Sequence, residues 1–409
     1  MADIEYLKGL EAVRERAHLV LGAAERNELS HFDYDSSKMS EVAEFVADVI
    51  TRDFGPDRFE QIPPHGRWQH FDVGGVARVD SLIKQWKLKG LNRLETTRRL
   101  IDLFFVAVLL DAGAGDVWKF AEPNTDQAGN DVESVDGPAL LALDVASFEQ
   151  HFQITDKNPL VGAASRVNLL KSVGSSLLSL PKFFGENGRP GNLVDYLVQQ
   201  AGDSKELDFN SLWKILQETL LPAWPRNRTR IADIPIGDAW PLEILSKLNA
   251  GKESGMENST LHIAPFHKLT QWLAYSLTVP FMRVLDMQWK SLEKGTGLPE
   301  YRNGGLFVDL GVLKLKEEAL KAGQAASQKD LPSYEATSDV IVEWRAMTVA
   351  LLDKLHELIG AHFASQGVKL SMPQMLEAGS WKAGRELAAK FRPETKSSPI
   401  LIEGDGTLF

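Results

Sequence analysis

The sequence contains no cysteine. Disulfides, zinc–thiolate centres, iron–sulfur clusters and cysteine nucleophiles are thereby excluded, and the absence fits a reducing compartment. Long apolar runs are missing too. The most apolar stretch, Leu100–Gly115, is short and broken by Asp102 and Asp111, so it reads as a buried core helix and not a membrane span. The N-terminus, MADIEYLKGLEAVRERAHLVL, is charged from the start and lacks the basic-then-apolar layout of a signal peptide. A cytoplasmic protein with no membrane partner is expected. Positive charge is scarce: 45 Lys and Arg stand against 56 Asp and Glu, a net charge of −11. A net acidic surface repels phosphate backbones, so no nucleic-acid partner is expected. A local basic pocket for one small phosphate remains compatible with that charge. No GxGxxG, Walker, HExxH or GxSxG pattern occurs, and there is no repeat or low-complexity tract.

What is present is a chain of 409 residues, 44% apolar and 25% charged, enough to bury a large core. Helical periodicity dominates. It predicts helices over Asp3–Leu29, from a cap at Ser40 through Ile50, and over Val79–Lys87, Arg93–Leu110, Pro138–Gln150, Pro159–Leu180 and Asn192–Gln200. Further helices are predicted over Asn210–Leu221, Pro241–Leu248, Pro265–Lys294 (ended or kinked by Pro280), Asp339–Phe363 and Gly379–Phe391. Short extended pieces are expected at Leu306–Leu310 and Ile400–Glu403. No βαβ alternation appears. Gly-, Pro- and Asn-rich breaks fall at Gly185–Gly191, Pro222–Pro235, Asn249–Ser259 and Gly295–Gly305. The expected fold is mainly α, a large multi-helix globular body with a few short strands. A single integrated domain over residues 1–409 is preferred, with two lobes around a central cleft as the alternative.

Several segments carry polar groups that plain helices do not need. Arg67-Trp68-Gln69-His70-Phe71-Asp72-Val73-Gly74-Gly75-Val76-Ala77-Arg78 gathers cations, a histidine and an acid around a Gly pair that permits close backbone approach. A turn pinned by ion pairs explains it equally well, and His70 with Asp72 makes too few ligands for a metal. In Gly237-Asp238-Ala239-Trp240-Pro241, Pro241 suits the first position of a helix. Asp238 would then sit at that N-terminus as an ionised carboxylate, in a catalytic role or as a plain cap. Pro265-Phe266-His267-Lys268-Leu269-Thr270-Gln271 puts His267 and Gln271 on one face and Lys268 in a first turn, a poor place for a cation unless an anion binds there. Tyr301-Arg302-Asn303-Gly304-Gly305 is a fourth such segment. Glu343-Trp344-Arg345 lies in an apolar helix, where Glu343 and Arg345 either face a pocket or pair with each other.

Taken in order, RWQHFDVGGVAR, IGDAWP, PFHKLTQWLAYSL, EYRNGGLFVDLGVL, VEWRAMTVALLD and the ending EGDGTLF resemble the uracil catabolism protein 4 family of fungi and bacteria, long catalogued as a domain of unknown function. The resemblance runs from about residue 5 to 409. The sequence departs from it in Ala77, where a charged residue is common, and in Gly404-Asp405-Gly406-Thr407, where Ser-Asp-Gly-Thr is common. IGDAWPLEIL also resembles, more faintly, the Asp-Tyr-Arg-Val-Pro-Gln segment of queuosine salvage N-glycosidases, whose helical fold is akin to DNA glycosylases.

The resemblance implies an enzyme of pyrimidine breakdown that acts on a ribosylurea-type intermediate, a small ribosyl or ribosyl-phosphate substrate. Hydrolysis of its N-glycosidic bond would pass through an oxocarbenium-like state. In this scheme Asp238 stabilises the cation, and His267, Gln271 or the Arg67/His70/Asp72 group assists the departing urea. Arg78, Lys268, Arg302 and Arg345 bind phosphate or the ureido carbonyl, Trp240 and Trp344 wall the sugar, and Glu343 joins the binding set. Neither metal nor cofactor is required. The alternatives are a metal-dependent hydrolase of the ureido C–N bond, which releases ammonia, and a non-catalytic scaffold.

Overall fold

The computed structural model describes residues 2–111, 135–160, 162–225, 228–250 and 260–404. The fold is mainly α, with short two-stranded ladders as the only sheet among the described residues. No helix among them is long and apolar enough to cross a membrane. The chain divides into two compact units. Of the described residues, those within Met1–His65, Arg228–Gln271 and Glu293–Gly404 form unit 1, and those within Gly66–Asn227 and Trp272–Leu292 form unit 2.

Unit 1 is organised by the helix Asp339–Phe363, whose bounds match the predicted ones. Its first half is buried all round, from Val340 to Leu352, as a core helix should be. It packs against Leu10–Glu25, Met39–Phe54 and Tyr301–Asp309. The close approach to the last of these is made at Gly304, where an added Cβ would lie 2.8 Å from the Trp344 ring. Two antiparallel ladders join distant segments, Phe32–Tyr34 with Leu313–Leu315 and Ala239–Pro241 with Ile263–Pro265, and a third pairs Thr229–Ile231 with the neighbouring Ile234–Gly237. Leu401–Glu403 pairs in parallel with Ser333–Glu335, so the strand expected at Ile400–Glu403 forms.

Unit 2 centres on Arg93–Asp111, where Leu100, Ile101, Phe104 and Phe105 are fully buried. Gly137–Ala142 packs closely on Ala163–Leu178, because Gly174 leaves room where a Cβ would lie 2.9 Å from the Gly137 carbonyl. Glu206–Asp208 pairs in parallel with Gln288–Lys290.

Several expectations are corrected. The first helix is two, Ala2–Leu7 and Leu10–Glu25, because Gly9 adopts an extended conformation between them. Ser40 lies inside Met39–Phe54 and is not its cap; Asp35 caps the preceding 3-10 turn, accepting from the Ser37 amide. Pro138–Gln150 divides where Asp144 caps a new helix, Val145–His151. Pro280 lies inside the helix Lys268–Leu285 and does not end it; the chain turns at Asp286, which has positive φ. Leu306–Leu310 is not extended. It belongs to the helix Tyr301–Asp309 and its C-cap, set up by the Glu300 side chain. Residues 112–115, 251–259 and 405–409, which include parts of the apolar run, a predicted break and the GDGT ending, lie outside the described residues.

Candidate functional site

Asp238 lies between the strands Ile234–Gly237 and Ala239–Pro241, after a glycine with φ of 76°. Trp240 and Pro241 pair with Ala264 and Ile263, so Pro241 ends a strand and the following helix starts only at Glu243. The expectation that Asp238 sits at a helix opened by Pro241 is therefore corrected. The same ladder carries Phe266 and His267 alongside, and both amides donate to the Asp238 carbonyl. The helix amide that reaches the carboxylate belongs to Lys268, at 3.0 Å, the first residue of Lys268–Leu285.

Three other donors converge on that carboxylate. The Trp240 indole Nε1 donates to Oδ1 at 2.8 Å. Arg345 donates from Nη1 to Oδ1 and from Nη2 to Oδ2, each at 2.7 Å, a bidentate fork. The Asp238 residue is 7% exposed and Arg345 2%. Burial would push the Asp238 carboxyl up, but the Arg345 guanidinium, the indole and the Lys268 amide hold it well below the usual range. A carboxylate offers about four acceptor positions, and all are filled. In this arrangement Asp238 anchors Arg345, which also lies 4.1 Å from the centre of the Phe266 ring and donates from Nε to the Pro299 carbonyl.

Pro299 leads to Glu300, the first residue of the EYRNGG motif but not among the predicted site residues. Its carboxylate caps Tyr301–Asp309 by accepting from the amides of Arg302 at 2.8 Å and Asn303 at 2.5 Å. Burial raises the Glu300 carboxyl, against the lowering effects of those amides and of the Lys268 and Arg302 charges. The usable sequence signal was an acid directly before Tyr301-Arg302-Asn303, the N-cap position of a helix. Lys268 is 6% exposed. Two acids pushed in opposite directions thus share a buried neighbourhood with two cations.

The other predicted residues of unit 1 are hydrogen-bonded to the fold around them. His267 takes positive φ, is buried, and its Nε2 lies 2.8 Å from the Leu7 carbonyl. Burial lowers its imidazole below the ordinary value, which favours the neutral ring. Gln271 spends its amide on the Phe266 carbonyl and on Thr296, from which its Oε1 also accepts. Glu343 accepts from the amides of Ser30, His31 and Phe32. It does not pair with Arg345, because residues two apart on a helix point to nearly opposite sides. Burial raises its carboxyl despite those bonds. Trp344 donates to the Gly304 carbonyl at 3.2 Å, and Arg302 to the Lys396 carbonyl at 2.6 Å.

Arg67, His70, Asp72 and Arg78 belong to unit 2. There the Arg67 guanidinium lies 4.9 Å from the centre of the Phe71 ring, and its amide donates to the Ser276 hydroxyl. The His70 ring is 5.6 Å from that of Trp272. Asp72 accepts from the Val79 amide, and Arg78 bonds the Phe71 and Val73 carbonyls. These bonds to the backbone hold a turn around Gly74 and Gly75, both with positive φ.

Metal-ligand residue types gather in unit 1 at His31, Glu243 and Asp339. His31 Nε2 is 2.9 Å from Asp339 Oδ2, whose other oxygen accepts from the Glu243 amide. Lys247 already pairs with the Glu243 carboxylate at 2.9 Å. The group has its own cations and reads as an ion-pair cluster.

A family described as "Protein of unknown function (DUF1688)" matches residues 6–133 and 126–409. The chain belongs to this family. It is 41% identical to "Uracil catabolism protein 4" of Lachancea kluyveri, over 99% of each chain. It is 44% identical to "Protein urg3" of Schizosaccharomyces pombe, over 98% of each chain. The similarity therefore spans both units of this family member.

Proposed function

We propose that the protein acts in uracil catabolism as an enzyme that hydrolyses the N-glycosidic bond of a ribosylurea-type intermediate, giving urea and the sugar or sugar phosphate. The name of the Lachancea kluyveri relative supports the pathway. The observation that carries the chemistry is the buried group Asp238, Arg345, Lys268 and Glu300. Buried charge is costly, and a fold alone gains little from it. Titratable groups driven apart by their surroundings are a mark of acid–base sites.

In the proposed reaction the C1′–N bond breaks with cationic character on the sugar. Glu300, whose carboxyl is raised by burial, donates the proton that urea nitrogen needs on leaving. Arg345, held rigidly by Asp238, and Lys268 supply the positive field for a ureido carbonyl or a phosphate. Asp238 is a positioning residue in this scheme.

The test is to incubate purified protein with ribosylurea and with its 5′-phosphate and to measure urea and ammonia. Urea from one of them, unaffected by chelator, is expected. Ammonia release abolished by chelator and restored by metal would replace this reading with hydrolysis of the ureido C–N bond. No product from either substrate would leave a non-catalytic role.

A further inference from the structure

His65 follows two prolines in Ile62-Pro63-Pro64-His65-Gly66, a stretch whose sequence shows no helical period. It is 4% exposed. Its Nδ1 lies 2.6 Å from Glu377 Oε2, and its own amide donates to the Pro373 carbonyl at 2.8 Å. A carboxylate only accepts, so Nδ1 carries the proton of that bond. The acceptor lone pair of the neutral ring is then on Nε2. This is the arrangement by which an acid fixes the tautomer and the direction of a histidine base.

The support around the pair is stiff. Glu377 lies in a π-helical turn, Leu376–Ser380, set between Met372–Met375 and Trp381–Phe391. Such turns are rare and are found often at functional sites. A capping box of Ser371 and Gln374 opens the preceding helix. Gln374 also donates to the Ile62 carbonyl at 2.8 Å, which fixes the segment leading into His65. At the far end of the π turn, the Ser380 hydroxyl donates to Asn303 Oδ1 at 2.8 Å, and the Asn303 backbone amide donates to the Glu300 carboxylate. The π turn thus carries Glu377 near one end and, at the other, the serine bonded to the residue that donates to Glu300, all within unit 1.

From this geometry we infer that His65, oriented by Glu377, is the base that takes the proton of the attacking water. The inference rests on the N-glycosidic reading above. The water oxygen bonds to C1′ as the C1′–N bond breaks, and the pair of electrons from that bond stays on nitrogen. The water proton passes to His65 Nε2, and the Glu300 proton passes to the urea nitrogen. His65 then returns its proton to the Glu300 carboxylate through solvent. One water is consumed, and one urea and one sugar leave.

The experiment compares wild type, His65→Ala and Glu377→Gln in urea release from ribosylurea or its 5′-phosphate. His65→Ala should lower kcat on the order of 10²-fold or more with little change in KM. Added imidazole should restore part of that rate, which a structural histidine would not allow. Glu377→Gln should lower kcat by about 10-fold, the usual loss when an orienting partner is removed. Should His65→Ala fail to fold, nitrogen NMR of the wild-type imidazole decides the arrangement. A protonated Nδ1 that is lost in Glu377→Gln supports the pair, and a protonated Nε2 with bare Nδ1 overturns it. An active wild type with unchanged His65→Ala turnover overturns the inference alone. No urea from wild type overturns it together with the reading on which it rests.

Discussion

Asp238 and Asp102 are both aspartates buried beside an arginine, and they titrate in opposite directions. Asp238, in unit 1, receives both terminal nitrogens of Arg345, the Trp240 indole and the Lys268 amide. Among the described residues, Asp102, in unit 2, receives two donors, the Arg189 Nε at 2.8 Å and the Gly191 amide at 2.7 Å. The remaining nitrogens of Arg189 serve Glu95, which also meets Arg98. Burial raises both carboxyls. It prevails at Asp102, which moves from 3.8 to about 6, with the Glu95 charge adding to the rise. It loses at Asp238, which is driven well below the usual range. Burial therefore does not decide whether an acid is charged. The number of donors, and whether another acid shares them, decides it.

The largest effect expected from this comparison is that of Asp238→Asn. The amide keeps one acceptor oxygen but turns an NH2 toward an Arg345 that is 2% exposed. Breaking this buried ion pair from one side should cost about 3–5 kcal/mol, several times the cost of a lost cap. Chemical denaturation should show the loss, and urea release by the surviving folded protein should fall on the order of 10²-fold. Asp102→Asn should be far milder, since Arg189 keeps Glu95. Equal losses in the two variants would mean that donor count does not distinguish the sites.

Much of the helical frame was legible in the sequence. Asp339–Phe363 matches its apolar period, Arg78–Leu88 is one residue longer than expected at each end, and Arg93–Asp111 is one longer at its C-terminal end. The prolines misled. Pro241 and Pro265 both look like first helical residues, yet each ends a strand of the same ladder. That pairing joins segments more than twenty positions apart, and local propensity carries no trace of it. The site was half legible. Asp238 and Arg345 were each suspected, but their contact spans 107 positions. Glu343 and Arg345 invited pairing by proximity in sequence, which the turn of the helix forbids. Glu300 opens the EYRNGG motif, yet its burial beside Lys268 shows only in the fold, and His65 and Glu377 lie outside the motifs because their pairing spans 312 positions.

The next effect concerns pH and singles out Asp102. Its folded value, about 6, lies above the ordinary 3.8. At neutral pH the group is ionised in both states, and the fold bears the cost of a disfavoured charge. As pH falls from about 6 toward 4, folded Asp102 takes up a proton that the unfolded chain does not yet bind. The contribution of this group to stability should therefore rise across that window, by up to about 3 kcal/mol for two pKa units. Asp238 has the opposite sign: its depressed value contributes stability above the ordinary carboxyl range, lost only as pH falls below it. The check is the stability of wild type minus that of Asp102→Asn, measured from pH 7 to pH 4.5. A difference that does not grow in favour of wild type on acidification would show that Arg189 keeps Asp102 charged throughout.

The smallest effect is that of Trp240→Phe, and it asks whether the donors at Asp238 act separately. Phenylalanine keeps most of the ring buried in the Ala239–Pro241 strand but removes the Nε1 donor. Three donors then remain on the carboxylate, so the charge stays paired. The loss should be about 1–2 kcal/mol, the range of one hydrogen bond to a charged acceptor plus a small packing change. Part of that loss is packing, because the Arg228 guanidinium lies 5.7 Å from the centre of the indole ring. A double-mutant cycle separates the two contributions. If the indole acts through the carboxylate, Trp240→Phe should cost clearly less in the Asp238→Asn background than in wild type, because the charge that strengthened the bond is gone. If it acts through packing, the cost should be the same in both backgrounds. Equal costs would remove Trp240 from the donor set and leave Arg345 and the Lys268 amide to hold Asp238 ionised.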